Sequence, residues 1–304
     1  MMPEISYSDL QLRLQKLKDL DLSTVPYNEI LNTINSEMVL PIVITEISAG
    51  NYIERIRINK DGEIFTSECE LSYVADPKKI TTFGRANSPA SSMFYGSVIS
   101  TPINFPRIVA LAETEELLRS NNKGKTDKDL IITLGKWQIA ENMLLAEMVF
   151  KKEVIKKTPE VKKAFDFHIN SFREDMPETE VQKMILLLEF YSEEFAKAEI
   201  RSDTDYKLSA AYAESAFKRN IVQGIIYPSV RTEYEGSNVA LLPNTVDNHL
   251  HLEEAIMIHV QIKGTKVFLD NIYRTGELTR KKEKFDWYEM NPASKEFKDT
   301  FFRK

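Results

Sequence analysis

Residues 83–97 read FGRANSPASSMFYGS and join a loop of small residues to a short apolar segment. Arg85 lies in this loop between a glycine and an alanine, where small neighbours let a planar guanidinium approach an anion through two parallel hydrogen bonds. An arginine that bonds only loop carbonyls is the alternative. The segment Ser92–Tyr95 is predicted to form a strand, in which Tyr95 either offers a ring and a hydroxyl to a ligand or packs in the core.

A second strand is predicted upstream of this loop. Tyr52–Ile58 alternates between apolar and charged residues, which places Arg55 and Arg57 on one face and isoleucines on the other. Lys60-Asp61-Gly62 ends the strand as a turn. Both arginines are therefore expected on a strand face rather than on a solvated helix.

Three further polar candidates follow along the chain. Glu113 lies on a helix predicted over 107–119, Ser229 follows a strand predicted over 222–227, and Asn238 opens the next strand. Taken alone, Glu113 is typical of a solvated helical acid and Ser229 of a turn residue. Only their combination with the arginines and the tyrosine suggests a site.

The remaining pattern predicts the class of fold. Helices are predicted over 7–20, after Pro26 and in three stretches between 158 and 221, and further strands over 130–134, 238–242, 255–262 and 266–269. Strands and helices do not alternate regularly, so an α+β fold is favoured over a doubly wound parallel sheet.

Composition excludes several classes of function. Forty basic against 46 acidic residues give a net charge of -6 over 304 residues, so no direct nucleic-acid partner is expected. The single cysteine, Cys69, excludes an internal disulfide and a cysteine-rich zinc site, and indicates a reducing, cytoplasmic setting. Only ten glycines are present, against an average usage of roughly 7%. We therefore expect side chains, rather than a glycine-rich loop, to hold any anion.

The sequence gives no signal for a membrane or a metal. No apolar run approaches the roughly 20 residues of a spanning helix, and the first residues lack the basic stretch of an export signal. His249 and His251 lie two residues apart and His259 lies further on, but a metal pair needs at least one further ligand. No metal site and no membrane contact are expected.

The candidates, taken in order, resemble the RES domain family, whose members are toxins of bacterial toxin–antitoxin pairs related to the ADP-ribosyltransferase fold. The blocks that carry the resemblance are ERIR at 54–57, FGRANSP at 83–89, MFYGS at 93–97, ALAET at 110–114, GIIYPSVR at 224–231 and GSNVAL at 236–241. They span roughly residues 50–119 and 220–270.

Two departures from the family pattern stand out. Ala86 occupies the place of the tryptophan in the family's Gly-Arg-Trp-Asn, and residues 98–106 stretch the spacing between Tyr95 and Glu113. The resemblance implies central β-sheets with N-terminal helices and a helical insertion. The implied divisions are an N-terminal helical extension at 1–48, two halves of a catalytic domain at 49–139 and 221–304, and a helical insertion at 140–220.

The resemblance further implies cleavage of the nicotinamide–ribose bond of NAD, which is a substrate here and not a cofactor. The implied catalytic residues are Arg55, Arg85, Tyr95, Glu113 and Ser229, and the implied NAD-binding residues are Arg55, Arg57, Arg85, Tyr95, Ser229 and Asn238. A carboxylate at Glu113 suits the positive charge that develops on the ribose. Arg55 and Arg85 are expected to clamp the pyrophosphate, and Tyr95 to stack on the nicotinamide. Ser229 and Asn238 are expected to bond the carboxamide or the ribose.

Several alternatives stay open at this stage. Water, phosphate or a protein can serve as acceptor, so hydrolysis, phosphorolysis and ADP-ribosyl transfer share one constellation. A catalytically silent binding protein is favoured if Ala86 and the stretched spacing have dismantled the pocket. A glycosidase that uses Glu113 and Glu116 lacks the aromatic residues that would bind a sugar. By the same resemblance, the expected partner is an antitoxin with a helix-turn-helix DNA-binding domain that blocks the cleft.

Overall fold

The computed structural model describes residues 5–100, 103, 105–114, 127–264, 266–276, 278 and 284–290. Its helices are α1 (Tyr7–Lys18), α2 (Tyr27–Glu37), α3 (Glu68–Leu71), α4 (Pro106–Thr114), α5 (Lys152–Lys157), α6 (Pro159–Asp175), α7 (Glu178–Phe195), α8 (Lys207–Phe217) and α9 (Pro243–His249). Its strands are β1 (Ile44–Ile47), β2 (Tyr52–Ile58), β3 (Phe94–Val98), β4 (Lys128–Ile139), β5 (Met143–Glu147), β6 (Gly224–Pro228), β7 (Ser237–Leu241), β8 (Leu250–Lys263), β9 (Lys266–Thr275) and β10 (Trp287–Glu289).

The described strands join in one sheet, in the order β1-β5-β6-β7-β3-β2-β4-β8-β9-β10. Within it β5 and β6 run parallel, and the other neighbouring pairs are antiparallel. A mainly antiparallel sheet with helices gathered against it is an α+β fold. The predicted fold class is therefore confirmed.

Helices cover one face of the sheet, and a second core lies on the other face. Leucines of α1 and isoleucines of α2 join Tyr191 of α7 and Tyr212 of α8 in a cluster that reaches Ala240 on β7. The next residue, Leu241, packs in the opposite core with Phe94 and Trp137. Neighbouring residues of β7 enter different cores because side chains alternate along a strand.

The predicted helix at the amino terminus is confirmed as α1. Its buried leucines Leu10, Leu14 and Leu17 are spaced by four and three residues, so they share one helical face. Ser6 caps the helix, because its side-chain oxygen accepts the backbone N–H of Asp9. This apolar face is what docks α1 on the helical layer.

The N-cap residue of α6 bonds to a distant part of the chain rather than to its own helix. Thr158 is the N-cap residue and Pro159 opens the helix, but the Thr158 side chain makes no capping hydrogen bond. Its hydroxyl lies 3.5 Å from the carbonyl oxygen of Tyr234 instead. A tertiary contact has thus replaced the local one.

The extents of several strands differ from prediction. The strand predicted over 92–95 is β3, which runs from Phe94 to Val98. The strand predicted over 130–134 is the middle of the much longer β4. Residues 115–119 of the helix predicted over 107–119 lie outside the described residues. The differences arise because strand pairing, rather than the apolar run alone, decides where a strand ends.

Short strands were missed inside two of the predicted divisions. The segment 140–220, predicted as a helical insertion, contains β5, and the segment 1–48 contains β1. These two strands pair with each other, and β5 also pairs with β6. Both segments thus contribute to the central sheet, while the division of the chain stays a prediction. Among the helices of the described ranges, none is long and apolar enough to cross a membrane.

A close approach of strands in the sheet requires glycine at position 224. A Cβ atom there would lie 2.6 Å from the backbone oxygen of Ala240 and 2.5 Å from a methyl group of Leu241. Gly224→Ala is expected to lower the free energy of unfolding by roughly 1–3 kcal/mol, because the strands must move apart. Urea denaturation measures this change.

The matched control is Gly276→Ala. Among the described residues, its added Cβ would meet only a ring carbon of Tyr288, at 3.3 Å, and Tyr288 is largely exposed and able to shift. We expect this control to unfold within about 0.5 kcal/mol of the wild type. Equal stability of the two variants would contradict the close packing of β6.

Candidate functional site

A cavity opens where β2 parts from β3. These strands share only two residue pairs, Ile53 with Val98 and Glu54 with Ser97, while β2 continues along β4 as far as Ile58. The resulting cavity has a volume of about 260 Å³. Its lining includes Arg55, Arg85, Tyr95, Glu113, Tyr206 and Asn238. The strand divergence thus brings together most of the residues that the sequence singled out.

Arg55 spans the gap between the parting strands. Its Nη1 donates to the carbonyl oxygen of Tyr95 at 2.6 Å and its Nε to that of Leu71 at 3.1 Å, while the guanidinium lies over the Phe94 ring. Burial, together with the charge of Arg57, lowers the pKa of Arg55 to about 10. The group still carries its positive charge at neutral pH, so the cavity holds a fixed cation.

Arg57, the other predicted strand arginine, has different neighbours. Its Nη1 donates to the carbonyl oxygen of Glu70 at 2.6 Å, and its guanidinium lies over the ring of Phe65. It is not one of the described residues that line the cavity. Its predicted part in NAD binding stays a prediction.

Arg85 joins its loop to the carboxyl end of α7. Its Nη1 donates to the carbonyl oxygen of Phe195 at 2.7 Å, and its Nη2 to that of Lys197 at 3.1 Å. The last carbonyls of a helix have no partner within it, which makes them natural acceptors for a guanidinium. The side chain also lies over the ring of Tyr206 and lines the cavity. Arg85 therefore both bonds to backbone carbonyls and lines the cavity.

The hydroxyl of Tyr95 holds the arginine loop in place. It accepts the backbone N–H of Ala86 at 3.0 Å and donates to Oδ1 of Asn87 at 2.7 Å. A Cβ on Gly84 would lie 2.3 Å from that same Oδ1 and 2.8 Å from the Tyr95 hydroxyl, so this position requires glycine. Burial raises the pKa of Tyr95, which keeps the hydroxyl neutral.

The carboxylate of Glu113 is held by two side chains from other elements. Its Oε1 accepts the Ser229 hydroxyl at 2.7 Å and Nδ2 of Asn238 at 2.9 Å. Oδ1 of Asn238 in turn accepts the hydroxyl of Ser97 at 2.8 Å. Ser229 is fully buried and contacts the cavity through Glu113. Such buried hydrogen bonds fix the orientation of the carboxylate.

Sequence reasoning missed several polar residues of this site: Ser97, Thr114, Tyr206 and Tyr227 line the cavity. Strand alternation provides a signal for Ser97, because residues two apart on β3 share a face and Tyr95 was already a candidate. No local signal marks Tyr206, which lies in a 3₁₀ turn at Asp203–Tyr206, 121 positions after Arg85. It reaches the cavity only through tertiary packing.

Two of the four histidines each lie within hydrogen-bond distance of a carboxylate. His168 lies 2.7 Å from a carboxylate oxygen of Glu147, and His259 lies 2.9 Å from one of Asp129. Within the described ranges, no group of three or more His, Cys, Asp or Glu side chains is placed to hold a metal. Glu116, which the glycosidase hypothesis requires, lies outside the described residues.

Residues 145–261 match the family model described as RES domain, and this match confirms the resemblance to that family. The family is NAD-related and associated with toxin–antitoxin systems. The matched segment contains Ser229 and Asn238, whereas Arg55, Arg85 and Tyr95 precede it. It also runs through the segment predicted as a helical insertion. No curated protein matches the chain.

The Tyr95 hydroxyl gives a direct test of how the loop is held. In Tyr95→Phe the buried N–H of Ala86 loses its acceptor, so we expect the free energy of unfolding to fall by about 1–3 kcal/mol in urea. Tyr288→Phe, on a side chain that is 57% exposed, is the control and should leave stability unchanged. If Tyr95→Phe has the same free energy of unfolding as the wild type, this hydroxyl does not hold the loop.

Proposed function

We propose that this chain cleaves the nicotinamide–ribose bond of NAD. The observation that carries the proposal is the cavity beside β2 and β3, in which two arginines, three tyrosines and an oriented carboxylate face one space. Those groups match the charges of the substrate: a pyrophosphate anion and a ribose that becomes positive as the bond breaks. The association of the RES domain with NAD supports the same reaction.

The proposed step is heterolytic. The bond between ribose C1′ and the nicotinamide nitrogen breaks, and its electron pair leaves with nicotinamide, which thereby becomes neutral. The ribose is left as an oxocarbenium ion, and the carboxylate of Glu113 stabilises that charge. Ser229 and Asn238 donate to Oε1 of Glu113 and fix the orientation of this carboxylate, which supports the role proposed for it.

The volume of the cavity restricts which part of the substrate enters. Sites that enclose a small molecule usually have volumes of roughly 300–1,000 Å³, and this cavity has about 260 Å³. We infer that the nicotinamide riboside end is enclosed and that the adenosine end stays outside. Arg55 and Arg85 then lie between the two ends, where the pyrophosphate passes, and Tyr95 or Tyr206 offers a ring to the nicotinamide.

The acceptor distinguishes the forms of this reaction. Attack of water on C1′ gives ADP-ribose and a proton, phosphate gives a phosphorylated ADP-ribose, and a protein side chain gives an ADP-ribosylated protein. Chromatography of the products with and without phosphate, together with protein-bound label from radioactive NAD, separates the three. Each form uses the same cavity residues.

A second candidate is a protein that binds a nucleotide without cleaving it. The contacts of the two arginines favour this candidate, because both guanidinium groups already donate to backbone carbonyls. Each of these bonds holds the protein together whether or not a ligand is present. Free nicotinamide after incubation with NAD excludes the binding protein, whereas NAD binding without nicotinamide release establishes it.

Glu113→Gln is the sharpest test of the carboxylate. The substitution keeps the size of the side chain and an oxygen that can accept from Ser229 and Asn238, but it removes the negative charge. We expect kcat for nicotinamide release to fall by about 10²–10³ with little change in melting temperature. The control is Glu153→Gln on the exposed surface of α5, which should turn over NAD as the wild type does. Equal kcat in both variants would remove Glu113 from the mechanism.

We further propose that a dedicated antitoxin with a helix-turn-helix domain blocks this cavity, as the toxin–antitoxin association of the family suggests. Expression of the chain alone is expected to deplete cellular NAD and arrest growth. Co-expression of the neighbouring gene product should restore both. Growth and NAD levels that stay normal during expression of the folded chain would contradict this part of the proposal.

A further inference from the structure

The N-terminal helices contact the segment that carries Arg85. The chain between α1 and α2 passes beside α8, and the ring of Tyr27, the first residue of α2, lies 5.0 Å from the ring of Phe83. Phe83 is two residues before Arg85 and is not among the described residues that line the cavity. A route of direct contacts therefore joins the N-terminal helices to the site.

Lys207 fixes this arrangement from the side of α8. Its ammonium is buried and donates to the carbonyl oxygens of Leu22 and Val25, both at 2.7 Å. The same ammonium lies 5.8 Å from the centre of the Phe83 ring. A buried ammonium needs hydrogen-bond acceptors. The two carbonyl bonds therefore fix the segment between α1 and α2 against Lys207. The Phe83 ring therefore lies beside both Tyr27 and the ammonium of Lys207.

The other side of Phe83 is fixed by the turn that carries Tyr206. The backbone N–H of Phe83 donates to Oδ2 of Asp203 at 3.0 Å. Tyr206, three residues later, lies under the guanidinium of Arg85 and lines the cavity. The ring and the backbone of Phe83 thus tie α2, α8 and this turn to the arginine loop.

We propose that Tyr27 and Lys207 are positioning residues, which act through Phe83 to hold the Arg85 loop in its ligand-binding position. The N-terminal helices then contribute to ligand binding by positioning this loop. The kinetic consequence rests on the proposed function, whereas the effect on the loop does not. If Arg85 binds the pyrophosphate equally in the ground and transition states, losing its position raises KM and leaves kcat unchanged.

The experiment compares Tyr27→Ala with Tyr27→Phe in the full chain. Phenylalanine keeps the ring against Phe83 and loses the hydroxyl, which donates to Glu214 and also bonds to the side chain of Ser88. It is therefore the control for the ring contact. Lys18→Ala is a second control, because it removes a surface ion pair between α1 and α7. Lys207→Met and Phe83→Leu test the same route if Tyr27→Ala does not fold.

Two measurements are made on each variant. Hydrogen exchange at the backbone amides of residues 84–87 reports the loop itself, where Gly84 and Ala86 donate to Asn87 and Tyr95. We expect exchange there to speed by about tenfold in Tyr27→Ala and Lys207→Met, and to stay unchanged in both controls. We expect KM for NAD to rise by about tenfold, with kcat within about twofold of the wild type.

The outcomes separate the two proposals. Faster exchange at 84–87 in a protein that does not cleave NAD supports the positioning role and contradicts the proposed activity. Equal exchange at 84–87 in Tyr27→Ala, Lys207→Met and the controls overturns the positioning role, whatever the activity. A fall in kcat at unchanged KM would also overturn it, because the loss would then lie in the chemical step.

Discussion

The parting of β2 from β3 after two residue pairs is the constraint on which the site depends. Two neighbouring strands that separate leave backbone groups without ladder partners, and such groups must find others when they are buried. The Arg55 side chain meets part of that need by donating to the carbonyl oxygen of Tyr95 on β3. The gap between β2 and β3 can then stay open. A polar cavity lies there, where two fully paired strands would leave no space. Arg55 therefore both bonds to the backbone of β3 and supplies a cation to the cavity.

The second constraint is the register of β3 with β7. Ser97 stands opposite Asn238, so the serine hydroxyl reaches the amide oxygen and turns the amide nitrogen toward Glu113. Slipping the register by one residue would send these side chains to opposite faces of the sheet. The position of a carboxylate on α4 is therefore set by a strand pairing, although the helix itself makes no part of that ladder.

The helices packed on the sheet hold the loop that carries Arg85. Arg85 is held by the carbonyls at the end of α7, and its loop is braced through Phe83 by α2 and α8. These helices come from segments far apart in the chain, on either side of the loop. Glycine is scarce in this protein, yet Gly84 stands where a Cβ would collide with the Tyr95 hydroxyl. Gly84 and Gly224 serve close approaches within the protein, and side chains supply the cations of the cavity.

The sequence by itself determined the α+β class, the strand face of Arg55, the helix of Glu113 and the order of the candidate residues. Those features follow from local periodicity and from a motif whose residues are adjacent in the chain. Only the tertiary structure decided that Arg57 turns toward Glu70, that Ser229 and Asn238 meet on one carboxylate oxygen, and that Tyr206 reaches the cavity. It also decided where β1 and β5 form, since strands this short gain most of their stability from pairing. Contacts between residues 100 or more positions apart leave no local pattern, because they exist only once the sheet register and the helical packing are fixed.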